Sequence, residues 1–346
     1  MRVVVVGGSL VGLTLARALA KRGHQPVVLE RGRGEVRGDP LFVPYQAYDA
    51  LADVGVMETV QREGVPIAAT GPGPPPGYGF FRRSLTELLA AGVPVAHEQS
   101  VVGLLRADGG EGRIVGVRVR GPDGEREIAA DLVVGADGAG SPVRGMAGIP
   151  GETVTVDDGW LGALGAPDPD RSFAMRFLSD GRQIGLYAAP GISFIFWQIG
   201  RVGRQAALAP ELDRFRAAAL RLLPEAQTAL EGVRDRSQLV YWEALEVRGC
   251  QPWWVPGAVV IGDAAHALTP EAGLGSGLGM GDALALAEAV RQHPDDPDAA
   301  CASYERWRRP VVAPYESIRG SAVRMVPAGA PTEKPPEERW PPLDLG

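Results

Sequence analysis

The residues with the most specific chemistry lie near the start of the chain, in a glycine-rich turn. Four valines, Val3 to Val6, precede the turn, and apolar residues recur at helical spacing after it. Glycine permits a tight turn and a close approach of the backbone to a pyrophosphate, and the first turn of a helix offers free N–H groups to that anion. The residues of the turn are Gly7, Gly8, Ser9, Leu10, Val11 and Gly12. Ser9 stands where the usual Gly-x-Gly-x-x-Gly pattern has its middle glycine.

An acid follows this turn at the spacing that a dinucleotide site needs. After Gly23, a second predicted strand, Val27 to Leu29, ends at Glu30. The Glu30 carboxylate can accept hydrogen bonds from ribose hydroxyls, and it would repel a 2′-phosphate. This segment therefore predicts a strand-turn-helix-strand unit that binds the adenosine part of FAD or NAD rather than that of NADP.

A second segment, residues 131–148, also places an acid at the end of a strand. The predicted strand Leu132 to Gly135 leads into a turn that contains Asp137 and Gly138. Arg144 follows at a short, fixed distance along the chain. A carboxylate in such a position can accept a hydrogen bond from a ribose or ribityl hydroxyl, so this segment is a second candidate for contact with the nucleotide.

A third segment, residues 257–290, repeats the arrangement. A predicted strand ends at Gly262 and Asp263, and a glycine-rich turn from Gly273 to Gly279 opens a helix that we expect to begin near Asp282. A glycine-rich helix start can present N–H groups to a phosphate or to the edge of a flavin ring.

Composition excludes several other classes of function. The net charge of the 346 residues is -7, with 42 acids and 35 bases, so no basic footprint for nucleic acid is present. Two cysteines and four histidines, far apart and without ligand spacing, predict neither a disulfide framework nor a metal site. The first strand begins almost at Met1, which leaves no room for a signal peptide, and no apolar run could span a bilayer. We expect a cytoplasmic protein without membrane contact, as a monomer or homodimer.

The order of predicted elements indicates an α/β fold: a Rossmann-like FAD-binding domain with an inserted antiparallel-sheet substrate domain. The expected boundaries are 1–69, 82–150 and 250–326 for the discontinuous FAD-binding domain, 70–81 and 151–249 for the substrate domain, and 327–346 for a proline-rich tail.

Two stretches bear on the shape of the substrate domain. Residues 70–79 are so rich in glycine and proline that we expect neither a helix nor a central strand there, and a helix is predicted from Phe80 to Ala90. Aromatic residues alternate along two strands of the middle block, so that one face could line a pocket or simply pack. These residues are Phe173, Phe177, Phe194, Phe196 and Trp197.

Taken together, the three segments resemble the aromatic-hydroxylase branch of the FAD-dependent monooxygenases, the group that includes para-hydroxybenzoate hydroxylase. They fall in the order of that family's ADP-binding fold, Asp-Gly motif and Gly-Asp motif. The resemblance covers most of residues 1–320. The stretch from Val56 to Arg83 is short for the family, which implies a pocket that is more open or differently roofed.

The resemblance implies a role for individual residues. Glu30, followed by Arg31, would bind the adenosine ribose, and Asp263, after Gly262, would hold the ribityl chain. Arg37 and Arg83, for which Arg82 competes, would contact the FAD phosphates or ring. Asp137, Gly138 and Arg144 would serve FAD and a passing nicotinamide nucleotide, although Arg144 could instead cap a helix. The residues expected to lie against the flavin ring are Pro270, Gly273, Gly275, Ser276 and Gly277. His266 is expected to pack beside the cofactor.

The activity implied is FAD-dependent hydroxylation of a small aromatic, heteroaromatic or polyketide-like molecule. NADH or NADPH would reduce the flavin during a transient visit, and dioxygen would then form a C4a-hydroperoxide that transfers one oxygen atom. The catalytic acid or base is not identified by the sequence. Two alternatives stay open: an FAD-dependent reductase or dehydrogenase without oxygen transfer, and a non-catalytic FAD-binding relative.

Overall fold

The valines at the start of the chain form the middle strand of a sheet around which the other elements are arranged. The computed structural model describes residues 1–34, 40–67, 76–107, 112–270 and 273–317. Arg37 and the predicted tail, 327–346, lie outside these ranges. Within them, no helix combines the length and apolar character that a bilayer crossing requires.

The elements are numbered in chain order. The strands are β1 (Arg2–Val6), β2 (Gln25–Leu29), β3 (Pro40–Pro44), β4 (Val65–Pro66), β5 (Gly77–Phe81), β6 (Val95–Ala96), β7 (Ser100–Arg106), β8 (Ile114–Gly121), β9 (Gly124–Ala129), β10 (Leu132–Gly135), β11 (Glu152–Gly165), β12 (Phe173–Phe177), β13 (Gln183–Ala189), β14 (Ile192–Gln198), β15 (Leu239–Arg248), β16 (Trp254–Val255) and β17 (Ala258–Val260). The helices are α1 (Leu10–Lys21), α2 (Tyr48–Asp53), α3 (Met57–Glu63), α4 (Arg82–Ala90), α5 (Pro142–Ala147), α6 (Arg204–Leu208), α7 (Leu212–Leu222), α8 (Gln227–Glu231), α9 (Asp263–His266), α10 (Gly275–Gln292) and α11 (Pro297–Ser317).

The first sheet has the strand order β16-β17-β10-β1-β2-β6, and all its pairs are parallel except β16 with β17. The four valines of β1 are buried because strands and helices cover both faces of this sheet. Val6 pairs with Gly135, and Gly135 pairs with Val260, so the carboxyl ends of β1, β10 and β17 lie side by side. The loops that follow these ends are the three glycine-rich segments, which explains how distant parts of the chain meet.

Two small antiparallel sheets flank this core, one with the order β7-β8-β9 and the other β3-β5-β4. The expectation that residues 70–79 contain no central strand was wrong for Gly77 to Gly79, which lie in the central strand β5. The prolines of that stretch all precede β5, so its backbone N–H groups are free to pair. The predicted helix from Phe80 accordingly begins two residues later, at Arg82.

The inserted block forms a five-stranded antiparallel sheet with the order β12-β13-β14-β11-β15. One face packs against α6, α7 and α8 through a cluster that includes Trp197 and Phe215. The sequence analysis did not identify β11, whose first half is polar and whose second half contains several glycines, so that it lacks a regular apolar alternation. This strand is nevertheless paired on both sides, with β14 and with β15, and so joins β15 to the rest of the inserted sheet.

The third glycine-rich segment differs from the expected turn. The prediction of a turn as far as Gly279 and a helix from near Asp282 was wrong, because α10 already begins at Gly275. Added β-carbons show why these positions are glycine. On Gly277 a Cβ would lie 2.7 Å from Cγ of Pro44, and on Gly279 it would lie 2.6 Å from Cγ2 of Val11. These glycines allow α10 to pack closely against the side chains of Pro44 and Val11, and they do not break the helix.

Candidate functional site

The turn after β1 requires glycine at two positions. Gly7 has φ +111°, and a Cβ there would lie 2.3 Å from the carbonyl oxygen of Ala136, in the second segment. A Cβ on Gly12 would lie 2.0 Å from the carbonyl oxygen of Gly7. The first turn of α1 therefore sits directly on the loop, and its free N–H groups face the space beyond the strand ends.

Glu30 is fixed above this turn by backbone donors. Its Oε2 accepts a hydrogen bond from the Gly8 N–H at 2.8 Å, and its Oε1 accepts one from the Gly32 N–H at 2.7 Å. Each carboxylate oxygen retains a further lone pair for a ribose hydroxyl. Arg31, the next residue, is exposed at the end of β2.

In the second segment, Asp137 and Arg144 hold the loop together. The Asp137 carboxylate accepts a hydrogen bond from the Val143 N–H at 3.0 Å, at the start of α5. Burial raises the pKa of Asp137 above its usual value, against the effect of that hydrogen bond. Gly138 follows it with φ +85°, a conformation that favours glycine.

The Arg144 guanidinium joins three parts of the chain. It is buried and donates to the carbonyl of Ala264 at 2.6 Å, to the carbonyl of Ala139 at 2.8 Å and to the hydroxyl of Thr153 at 2.7 Å. Arg144 thus connects the second segment to the third segment and to β11. A contact of this side chain with a nucleotide stays a prediction.

Asp263 lies three residues after the end of β17 and opens α9. Its side chain is accessible to solvent, yet the surrounding protein raises the pKa of its carboxyl, while the charges of His266 and Arg82 oppose that rise. It makes no hydrogen bond with another residue in the part of the chain that the structure describes. A Cβ on Gly275 would lie 3.7 Å from Asp263 Oδ1, so the carboxylate is beside the first turn of α10.

Arg82, the first of the two arginines that open α4, interacts electrostatically with Asp263. Arg83, which the sequence analysis had favoured, is exposed. A contact of either arginine with the FAD phosphates or ring stays a prediction.

A buried acid that the sequence analysis did not assign to the site lies beneath the third segment. Asp282 Oδ2 accepts hydrogen bonds from His266 Nε2 at 2.5 Å and from the Gly262 N–H at 2.9 Å, and its Oδ1 accepts one from Arg308 Nε at 2.7 Å. Asp282 is fully buried. An acid among the apolar residues of a helix was the available signal, since an unpaired carboxylate does not stay in such a position.

Neighbouring opposite charges shift the pKa values of Asp282 and His266. Burial alone would raise the pKa of Asp282, but His266 and Arg308 hold it below the usual value. Burial alone would lower the pKa of His266, but the charge and hydrogen bond of Asp282 raise it. Each of the two groups thus favours the charged form of its partner, and Asp282 also holds the Gly262–Asp263 turn through the Gly262 N–H. This agrees with the expectation of a packed His266.

The remaining residues of the third segment lie where this turn meets α10. Gly273 has φ +65°, and a Cβ there would lie 3.1 Å from Cδ1 of Phe42. Pro270 donates no backbone hydrogen bond, but its carbonyl accepts one from the Gly273 N–H at 2.9 Å. Ser276 follows Gly275 in the first turn of α10, where N–H groups have no acceptor within the helix.

The three segments meet at one place and fit a dinucleotide. The close contact of Gly7 with Ala136 joins the first segment to the second, and a Cβ on Gly262 would lie 3.3 Å from Val11, which joins the third to the first. Two helix N-termini, those of α1 and α10, suit phosphate or a flavin edge, and the carboxylates of Glu30 and Asp263 suit sugar and ribityl hydroxyls. The residues present therefore fit FAD.

We call the space bordered by the three glycine-rich segments the cradle. Beside it lies the face of the five-stranded sheet that is opposite to α6–α8. We call the apolar cluster on it the aromatic face; its members are Phe42, Ile67, Leu164, Tyr187, Phe194, Phe196, Val240 and Trp242. Trp160 stacks on Trp242 at its border, with ring centroids 6.3 Å apart and planes inclined by 11°. Among the aromatic residues predicted from the alternation, Trp197 lies on the opposite face.

Comparison with known proteins gives consistent results. Residues 1–72 and 83–317 match the family model described as "FAD binding domain". The 2-heptyl-3-hydroxy-4(1H)-quinolone synthase of Mycobacteroides abscessus is 27% identical over 340 residues, which cover 93% of this chain and 88% of that protein.

Solved structures share the fold. PqsL, a probable FAD-dependent monooxygenase from Pseudomonas aeruginosa, superimposes with a TM-score of 0.78 at 22% identity, over 93% of this chain and 95% of its own. Klebsiella pneumoniae HpxO in complex with FAD and uric acid does so with a TM-score of 0.76 at 21% identity, over 94% and 90%. At such identities these likenesses concern the fold alone.

Proposed function

Because this chain belongs to the FAD-binding domain family and is an FAD-dependent monooxygenase, we propose that it hydroxylates an aromatic or heteroaromatic molecule with NADH or NADPH as the reductant. Two of the proteins named above are described with a heterocycle: a quinolone in the name of the Mycobacteroides abscessus synthase, and uric acid in the complex of HpxO. When bound, FAD supplies the redox chemistry: it accepts electrons from the nicotinamide and delivers one atom of dioxygen to the substrate.

The observation that carries this proposal is the convergence of the three glycine-rich segments beside an aromatic face. The strand ends of β1, β10 and β17 bring the segments together, and Gly273 of the third segment contacts Phe42 of the aromatic face. A flavin held by the segments would thus have its ring next to an apolar surface. Exclusion of water from that surface protects an oxygen-transferring flavin from unproductive loss of hydrogen peroxide.

The residues of the chain have separate tasks in this proposal. Glu30 accepts hydrogen bonds from the adenosine ribose, and Asp263 accepts them from the ribityl chain. The first turns of α1 and α10 donate N–H groups to the pyrophosphate and to the ring edge. Arg82 and Arg83 are the candidates for the phosphates or ring, and Asp137 serves FAD from the second segment. In the described part of the chain, only one sheet is of the parallel, nucleotide-binding type, which favours a transient visit of the nicotinamide nucleotide.

The reaction itself can be tested with purified, FAD-loaded protein. Expected are a visible flavin spectrum, NADH or NADPH oxidation stimulated by a phenol or hydroxypyridine, matching oxygen uptake, and a product heavier by one oxygen atom from ¹⁸O₂. Nicotinamide oxidation without oxygen incorporation would point instead to a reductase. A protein that takes up no FAD would contradict the proposal altogether.

The role of Asp263 has its own test. Asp263→Ala removes an acceptor for a flavin hydroxyl, and loss of a hydrogen bond to a charged group costs about 1.5–3 kcal/mol, which is roughly a 10- to 100-fold weaker Kd for FAD. FAD binding to the apoprotein can be followed by quenching of flavin fluorescence. Asp213→Ala, which changes an exposed acid in α7, is the matched control and should bind FAD like the wild type. An unchanged Kd in Asp263→Ala would rule out the assigned contact.

A further inference from the structure

A surface groove lies between the loop around β16 and one side of α11. Its volume is about 990 Å³, and none of its lining residues belongs to the three glycine-rich segments. The wall on the side of the loop includes Pro252, Trp254, Val255 and Pro256. The helical wall includes Ala302, Arg306, Pro310 and Ala313. We call this feature the α11 groove.

The surface of the α11 groove is mainly apolar and is open to solvent. Pro252, Pro256, Pro310 and Ala313 are exposed, and Trp254 is half-buried. Contiguous exposed apolar surface on a folded domain marks a contact with another segment of protein. A groove lined by an aromatic ring and prolines suits a proline-rich segment, because such a segment brings a preformed extended backbone and loses little entropy on binding.

Two prolines leave backbone acceptors in the helical wall. Pro310 and Pro314 lie inside α11 and have no N–H group. The carbonyls of Arg306 and Pro310 therefore lack the donor that a helix normally supplies four residues later. Both residues line the groove, so its helical wall offers hydrogen-bond acceptors to an occupant in addition to apolar contacts.

The α11 groove also carries a positive charge without an acidic partner. Arg306 donates to the hydroxyl of Ser303 at 3.2 Å, and among the described residues no carboxylate lies within ion-pair distance of it. Arg309, by contrast, lies 3.4 Å from Glu305 and is placed over the ring of Trp253. An occupant with an acid close to its apolar residues would therefore complement the groove.

The sequence after α11 contains a segment with these properties, outside the described ranges. Residues 335–342 read PPEERWPP and combine four prolines and one tryptophan with two acids and one base. In a polyproline II helix, which has three residues per turn, Glu337 and Trp340 lie on the same side. One side of this segment thus presents an acid and an indole to a groove that offers Arg306 and apolar rings.

The segment can reach the groove because α11 itself forms one wall. The helical wall from Ala302 to Ala313 extends about 16 Å, which five or six residues in polyproline II conformation cover. Helix α11 ends at Ser317, and a flexible chain as long as residues 318–334 has an r.m.s. end-to-end distance of about 20–25 Å. A tether of this length gives an effective concentration in the millimolar range, so even weak contacts keep the segment bound.

We propose that residues 335–342 occupy the α11 groove of their own chain, with Trp340 against its apolar walls and Glu337 next to Arg306. This inference goes beyond the proposed function and does not depend on it. Two other occupants compete with this segment: a second copy of the chain, and a proline-rich segment of another protein.

Photochemical cross-linking of the 346-residue chain, loaded with FAD, tests the contact. Trp340→p-benzoylphenylalanine keeps a large aromatic side chain at this position, and on irradiation that side chain reacts with neighbouring C–H bonds. An equal mixture of unlabelled and ¹⁵N-labelled copies separates a contact within one chain from a contact between copies. We expect adducts with residues 251–256 and 302–313, in which both peptides come from the same copy.

Adducts that join an unlabelled to a labelled copy would place the segment on a second molecule and overturn the proposal. Adducts with other regions, or the lack of any adduct, would overturn it as well. Arg306→Glu sets an acid against Glu337 and should lower the yield of groove adducts at least twofold. Arg214→Glu, which changes an exposed arginine of α7, is the matched control and should leave the yield unaltered. Equal yields in these two variants would contradict the contact of Glu337 with Arg306.

Fluorine NMR provides a second measurement with the natural residue type at position 340. The chain has seven tryptophans, which can be labelled as 5-fluorotryptophan, and the signal that is absent from Trp340→Phe identifies Trp340. We expect this signal to be shifted and broader than that of a synthetic peptide of residues 327–346, and to move towards the peptide position in Arg306→Glu. The same shift and line width in protein and peptide would show that the α11 groove does not hold the segment.

Discussion

At the scale of single residues, Asp282 does most to hold the third segment in place. One carboxylate joins His266 of α9, Arg308 of α11 and the backbone N–H of Gly262. Asp263, the candidate ligand of the ribityl chain, is the next residue after Gly262. The buried Asp282–His266 pair thus holds the backbone next to a solvent-accessible carboxylate, and the position of the site depends on a group that need not touch the cofactor.

This cluster makes stability depend on pH in a defined direction. The pKa of His266 is raised, so its stabilisation is complete below its usual value of 6.5 and is lost as pH rises through the folded-state value. The pKa of Asp282 is lowered, so its stabilisation is present above its usual value of 3.8 and is lost as pH falls further. Arg308, Asp263 and the buried Tyr304 are the other titratable groups that interact with the pair.

His266→Gln should lower the free energy of unfolding by about 3–5 kcal/mol at pH 6, because it leaves the Asp282 charge with one partner fewer. The difference from the wild type should shrink as pH rises above 6.5. Urea unfolding between pH 6 and pH 9 measures both effects. His293→Gln changes a histidine outside the cluster and should follow the wild-type pH dependence; a pH-independent difference for His266→Gln would show that no charged pair is present.

At the scale of elements, glycines in helices mark close packing. α1 and α10 both begin with glycines in their first turns, and α1 packs against α10. Gly279 brings the backbone of α10 close to Val11 and to Gly262, whose Cα lies 3.3 Å from an added Cβ. The two helix N-termini that serve the cradle are held together by these contacts rather than by side-chain pairs.

Gly12→Ala tests this packing. The added methyl would lie 2.0 Å from the carbonyl oxygen of Gly7, backbone that cannot move without displacing the turn. We expect a loss of about 1–3 kcal/mol in unfolding free energy together with weaker FAD binding. Gly145→Ala is the matched control, since this glycine of α5 has open space around it and the substitution should stabilise by up to about 1 kcal/mol. Equal behaviour of the two variants would contradict the packing argument.

At the scale of the whole molecule, hydrogen bonds and close backbone packing join the parallel sheet to the inserted antiparallel sheet. Arg144 reaches from the second segment to α9 and to Thr153 of β11, the strand that begins the insertion. The backbone of Gly79, in β5, approaches the insertion from the other side: a Cβ there would lie 1.7 Å from the carbonyl oxygen of Ala188. These contacts position the aromatic face of the inserted sheet beside the three glycine-rich segments.

Arg144→Gln distinguishes the structural role from a nucleotide contact. Loss of the buried charged donor should lower the free energy of unfolding by about 3 kcal/mol, since it removes hydrogen bonds to the carbonyls of Ala264 and Ala139 and to the Thr153 hydroxyl. Thermal or urea unfolding of the apoprotein measures this without any nucleotide. Arg62→Gln, an exposed residue paired with Glu63, should stay within about 0.5 kcal/mol of the wild type. An unaltered stability with a raised KM for NADH or NADPH would assign Arg144 to the passing nucleotide instead.

The sequence by itself determined what depends on neighbours along the chain. The succession of four valines, a glycine turn and a helical apolar pattern identified β1 and α1. Strand β10 was predicted at its observed bounds, Leu132 to Gly135, because a short apolar run indicates a buried strand.

Only the tertiary structure decided what depends on residues far apart in sequence. The early start of α10, the long strand β11 and the partnership of Asp282 with His266 and Arg308 each rest on contacts that bridge distant segments. A glycine that permits close packing and a glycine that breaks a helix have the same local pattern, and a buried acid looks like a surface acid until its partners are known. The physical reason is that burial and charge pairing are properties of the folded assembly of elements, whereas backbone propensity is a property of the chain.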